Sequence, residues 1–189
     1  MKKNLVNIFS YSWGLMKSTT PTWVKISNEN NKENESFTKF VVPWVVLCTL
    51  IVFVFETIYA ESKHVETGFI YAFVNLLSLF GAYFFTRTIT NSYFKKNLPE
   101  LFSKIKIEKI VTYSFAVIFM IKIITTIIPS LFFLQILNIY TIYIVWDGCR
   151  VIFNINEDER GKIMLLISLS IIFTPAIINK IVLFMLPAF

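Results

Sequence analysis

Five apolar stretches, each about twenty residues long and separated by charged gaps, decide what this chain can fold into. A helix rises about 1.5 Å per residue, so about 20 residues cross about 30 Å of hydrocarbon. The stretches run over about 40–59 (FVVPWVVLCTLIVFVFETIY), 68–86, 110–128, 131–151 and 163–186. Apolar residues make up 56% of the 189-residue chain, 20 of them Phe, and charged residues only 16%, against about a quarter in soluble domains. A water-soluble core of this size cannot hide that much apolar surface. The expected fold is therefore all-α: a polytopic bundle of five transmembrane helices over 40–189, preceded by residues 1–39 on one side of the membrane.

Prolines punctuate the pattern. Pro43 falls in the first turn of its span, where a missing N–H costs nothing. Pro129 and Ser130 interrupt what would otherwise be one long apolar run, which predicts a tight hairpin between the third and fourth spans. Pro175 lies inside the fifth span and is expected to kink it.

Lys and Arg set the orientation. Six lysines (2, 3, 17, 25, 32 and 39) precede the first span, and only Lys63 follows it. Arg87, Lys95, Lys96, Lys104, Lys106 and Lys109 lie between the second and third spans, and none lies in the next turn. Arg150, Arg160 and Lys162 precede the fifth span, and none follows Leu186. This alternation predicts a cytoplasmic N-terminus and an extracytoplasmic C-terminus, in a bacterial inner membrane. The net charge of +6 thus flanks spans instead of forming a basic stripe with interleaved aromatics, and nucleic acid is not an expected partner.

The N-terminal stretch opens with Lys2 and Lys3, but its apolar run is broken by Asn7, Ser10 and Ser12 and no small-x-small cleavage site follows. On a helical wheel Leu5, Ile8, Phe9, Trp13 and Met16 share one face, and Lys3, Asn7, Ser10, Gly14 and Lys17 the other. The expected element is an amphipathic helix lying in the headgroup plane. Residues 27–39 (SNENNKENESFTK) read as a polar linker too poor in apolar residues to pack, and Leu98–Ile107 as a short interfacial helix.

An ionisable residue inside a span is a functional candidate. Lys122 and Lys180 each sit about six residues short of the outer end of a span, or about 9 Å below the interface. Glu56 lies near the outer end of the first span, so the three could meet as a charge cluster. The alternative is that the lysine stems snorkel and carry their ammonium groups to the headgroups. Asn75, Gln135, Asn138, Tyr140 and Tyr143 could bond neighbouring helices or line a pore or lipid pocket. Gly81-Ala82 and Gly148 mark close helix contacts. Asp147 and Arg150, three apart, are expected to pair with each other or Asp147 with Arg87. Cys48 and Cys149 read as buried small residues. His64 beside Glu61 and Glu66 lacks metal-binding spacing, and no phosphate loop, nucleophile elbow or intramembrane aspartate pair occurs. No enzyme activity, metal or cofactor is expected.

Further features concern family. Pro21-x-Trp23-x-x-Ile26 precedes the polar linker and the proline-bearing first span. Tyr140-Thr141-Ile142-Tyr143 runs into Trp146-Asp147-Gly148, and the charged loop 157–162 leads into a last span carrying Pro175. This pattern resembles the bacterial branch of the Yip-one (Ypt-interacting-protein type) membrane family. The resemblance implies five spans and the same topology. Eukaryotic relatives act in vesicle traffic and contact small GTPases through a longer N-terminal region. It implies no catalytic or ligand residue. The leading expectation is a non-enzymatic scaffold, a dry bundle acting through contacts with the lipid bilayer and other membrane proteins. The alternatives are a small transporter or channel subunit using Glu56, Lys122 and Lys180, and a lipid-handling protein with a headgroup site on the basic loop from Arg87 to Lys109.

Overall fold

A computed structural model describes residues 2–59 and 65–185, with side chains from residue 8 onward. It is 91% helical, without strands among the described residues. The elements are α1 (Lys2–Lys17), α2 (Thr19–Ser27), α3 (Val42–Tyr59), α4 (Val65–Asn97), α5 (Lys104–Ser114), α6 (Ala116–Ile127), α7 (Tyr140–Phe153) and α8 (Glu157–Met185). A π-helical turn, Phe37–Val41, leads into α3, and a 3₁₀ segment, Pro129–Ile139, leads into α7. Five helical segments are long and apolar enough to cross a membrane: Phe37–Tyr59, Val65–Asn97, Lys104–Ile127, Pro129–Phe153 and Glu157–Met185. The chain is a multi-pass membrane protein. The spans expose many large apolar side chains, Phe69, Phe132 and Phe173 among them, as a lipid solvent permits and water does not.

The α5–α6 rod is the axis. Every residue from Ile107 to Phe119 is buried, with α3 packed on one side and α7 on the other. α4 joins α3 to α8, and α8 also packs on α7. Gly81 leaves room for α8: a Cβ there would stand 2.8 Å from Ile178 Cδ1. At the hairpin, Ile128 leaves helical geometry (φ −127°, ψ 86°) and Pro129 opens the next segment, as its position predicts. α8 is assigned as helix without interruption through Pro175.

Three sequence expectations are corrected. The stretch Leu98–Ile107 is not a separate interfacial helix. Pro99–Leu101 forms one 3₁₀ turn, and the helix that starts at Lys104 continues into the span. The face assigned to α1 also differs. Ile8, Ser12 and Leu15 are buried against the bundle, Trp13 points outward, and Phe9 is half-exposed with its ring edge-on to Trp44 at 4.8 Å.

The third correction concerns the polar linker, which is fixed at both ends by adjacent opposite charges on α5. Lys109 Nζ donates to the carbonyls of Ile26 (2.9 Å), Ser27 (3.0 Å) and Glu29 (2.6 Å). A cation at a helix C-terminus satisfies orphan carbonyls and opposes the negative end of the helix dipole. Glu108 does the converse, accepting from the backbone N–H groups of Asn34 (2.7 Å) and Phe37 (3.2 Å), where the first span begins. Arg87 closes the arrangement, reaching Glu108 Oε2 at 3.2 Å and Asn34 Oδ1 at 2.8 Å. Asn34 sits at φ 66°, a left-handed conformation Asn tolerates. Tyr11 and Tyr113 both donate to the Glu29 carboxylate. Burial, reinforced by Glu29, raises the Tyr11 phenol above its ordinary value, so this bond persists until pH climbs through that raised value.

α2 is locked onto α7 by the residues of the family-like pattern. Trp23 is fully buried and its Nε1 donates to Ile144 O at 3.0 Å. Gly148 makes room for it: a Cβ there would lie 2.7 Å from Trp23 Cε2. Ile26 is fully buried, and Tyr140 donates to Met16 O at 3.2 Å. Pro21 occupies the first turns of α2 on its exposed side. Replacing Lys109 by Met removes three charge-assisted bonds, each worth about 1.5–3 kcal/mol. Hydrogen exchange in Lys109→Met is expected to show α2 and the linker opening at least tenfold more often, with α4 and α8 unchanged. Uniform loss of protection across the chain would contradict this local role.

Candidate functional site: a cationic cavity between α4, α6, α8 and the 3₁₀ segment

Call the end of the bundle carrying Arg87, Lys109 and Arg150 the basic end. At the opposite end the helices separate around a cavity of about 330 Å³. Lys122 of α6 and Lys180 of α8 both line it. So do Asn75 and Ser78 of α4, Gln135 and Asn138 of the 3₁₀ segment, and Asn179 of α8.

Local structure explains this gathering. Gln135 and Asn138 are three apart, and a 3₁₀ helix has about three residues per turn, so both fall on one side. Pro175 also lines the cavity and contributes no N–H, so the carbonyl one turn earlier on α8 lacks its usual donor. Ser78 and Thr125 donate within their own helices, to Val74 O (2.7 Å) and Ile121 O (2.9 Å), leaving oxygen lone pairs toward the space. Asn75 reaches Thr49 at 3.4 Å, a long contact. Asn138 Oδ1 is buried without a hydrogen-bond partner.

The electrostatics are one-sided. No carboxylate lines the cavity among the described residues, and no ion pair among them involves Lys122 or Lys180. Glu56 on α3 is not among the lining residues. Of the expected three-residue cluster, the cavity gathers the two cations and not the carboxylate. His64 and Glu61 lie outside the described residues.

The remaining candidates are structural. Asp147 and Arg150 pair at 2.5 Å, and Arg150 also reaches Thr20 at 3.0 Å. Arg87 pairs with Glu108 instead. Trp146 lies beneath the Arg160 guanidinium, 4.7 Å from its carbon to the ring centroid. Tyr143 is exposed on a second, apolar groove of about 640 Å³ along the 3₁₀ segment and α7. Cys48 and Cys149 are buried free thiols. Of the basic loop from Arg87 to Lys109, the two end residues are occupied internally, while Lys95, Lys96, Lys104 and Lys106 are exposed. No group of three or more His, Cys, Asp or Glu side chains is placed to hold a metal among the described residues.

Asn179 was not singled out from sequence, although an amide beside Lys180 in an apolar span is a readable signal. Glu108 was missed because a carboxylate next to Lys109 reads as ordinary flanking charge.

No protein-family model matches the chain, nor does any curated protein or solved structure.

A cation held in an apolar span opposes its own desolvation. Lys122→Met is therefore expected to leave the melting temperature of the delipidated protein unchanged or raised. A fall of several degrees would assign Lys122 a structural role. Gly81→Leu, which drives a side chain into Ile178, is expected to cost about 1–3 kcal/mol.

Proposed function

We propose that this protein is a non-enzymatic membrane protein that binds an anionic ligand within the bundle, in the half remote from its N-terminal helices. The observation that carries this reading is the presence of Lys122 and Lys180 on one cavity wall set without a lining carboxylate. Four carboxamides accompany them, which suits a ligand whose anion is attached to hydrogen-bonding groups. Two ammonium groups in a space of low dielectric attract an anion far more strongly than they would in water. A dry, filled bundle was the expectation for a pure scaffold, and the polar cavity favours binding over that expectation.

The proposed setting is a bacterial inner membrane, with the N-terminus cytoplasmic and the C-terminus outside. The alternation of Lys and Arg between connections supports it, and it would place the cavity in the outer half of the membrane. Membership of the Yip-one family is part of the proposal. Trp23, Ile26, Tyr140 and Gly148 support it by serving one joint purpose, the docking of α1 and α2 on α7. A scaffold role toward other membrane proteins is the second reading, favoured by the exposed Phe9 and Trp13 on a clasped α1.

The binding reading is tested by thermal melting of delipidated protein against soluble anions (phosphate, sulfate) and an amphiphilic one (dodecyl phosphate). A ligand that binds only the folded state at a hundred times its Kd adds about 2.7 kcal/mol. Wild type should be stabilised by at least one anion, and Lys122→Met/Lys180→Met by none. An equal response of both proteins, or no response to any anion, would remove the cavity from the account.

A further inference from the structure

The cavity does not open evenly. α7 packs against α8 toward the basic end, but the 3₁₀ segment that extends the same span packs on α6 instead, and its contacts with α8 are marginal at most. The fourth and fifth spans thus touch at one end and part at the other, which leaves a slot between the 3₁₀ segment and α8. Ile136 of the 3₁₀ segment is 67% exposed, and α8 carries Phe173, Ile177 and Ile181 exposed along its outer surface. Such apolar surfaces face acyl chains, not water.

The 3₁₀ segment itself is unusual. It spans 11 residues with none buried and is kinked at Leu131 (φ −87°, ψ 21°), and 3₁₀ stretches beyond three or four residues are uncommon and often mark a hinge. It also divides two surfaces. Gln135 and Asn138 line the cavity, while Ile136, Leu137 and Ile139 line the apolar groove, which continues past Tyr143 to Trp146 and to Met164 of α8. Cavity and groove therefore share the 3₁₀ segment and α8 as walls, one surface polar and cationic, the other fully apolar.

We propose that the ligand is an anionic phospholipid of the surrounding leaflet, admitted sideways between the 3₁₀ segment and α8. Its phosphate sits between Lys122 and Lys180, its headgroup hydroxyls meet Asn75, Gln135, Asn138 and Asn179, and one acyl chain lies along the groove toward Met164. This rests on the anion-binding reading and narrows it. A soluble anion would gain nothing from the groove, and a lipid uses both surfaces at once. A zwitterionic phospholipid would bring a second cation into a cavity that has no described carboxylate to receive it.

The test is native mass spectrometry of delipidated full-length chain titrated with phosphatidylglycerol or phosphatidylcholine, with inorganic phosphate and glycerol 3-phosphate as soluble competitors. Wild type should retain one phosphatidylglycerol at least tenfold more tightly than phosphatidylcholine, with millimolar soluble phosphates failing to displace it. Lys122→Gln/Lys180→Gln should abolish the preference, and Leu137→Trp, which fills the groove and leaves the charges alone, should weaken retention at least tenfold. Circular dichroism and melting of each variant separate lost binding from lost fold, and the single Lys122→Gln and Lys180→Gln forms stand in if the double variant does not fold. Displacement by soluble phosphate, with no preference between the lipids, would overturn sideways lipid entry and leave anion binding intact. Absence of binding by lipid and soluble anion alike would overturn both. Unchanged retention in Leu137→Trp would overturn the placement of the acyl chain.

Discussion

Hydrocarbon offers no hydrogen bonds, so every polar group this chain takes into the membrane must be satisfied by the chain itself or by something it binds. At the basic end the chain supplies the partners. Glu108 and Lys109, neighbours on the most enclosed helix, are buried and each ends a segment: Lys109 receives the carbonyls of α2, and Glu108 the N–H groups that open the first span. Their adjacency holds α1 and α2 on the bundle and makes the polar linker a structured strap.

At the other end the same constraint is left open. Lys122 and Lys180 share a cavity, and Asn138 keeps a buried oxygen without a partner. A buried polar group without a partner costs about 1–3 kcal/mol. Sites that retain such a cost are where a ligand has most to offer. Buried atoms without partners also occur elsewhere, Asn91 Oδ1 and Asp147 Oδ2 among them, and what sets the far end apart is a cavity lined by two cations.

Much of the architecture was legible because lipid enforces it. Span number, the hairpin at Pro129 and the Asp147–Arg150 pair follow from apolar run length, proline chemistry and helical spacing. So does the shared side of Gln135 and Asn138, although their use in lining a cavity could not be chosen over interhelical bonding. Three things were hidden because they depend on tertiary placement. Glu29, Asn34 and Glu108 look like solvated polar residues until α5 brings them together. The outward turn of Trp13 depends on which stripe of α1 the bundle takes. The 3₁₀ geometry of 129–139 is invisible in an apolar pattern that an α-helix would fit equally well. Glu56 was grouped with the lysines by depth alone, and depth does not say which side of a helix faces the cavity.

A density map of the protein in anionic nanodiscs, at a resolution that separates lipid from side chain, bears most directly on the central claim. Binding at the cavity requires a tetrahedral feature between the Lys122 and Lys180 ammonium groups. An empty or collapsed space there, with both lysines extended to the headgroup layer or paired with a carboxylate of the chain itself, would contradict it.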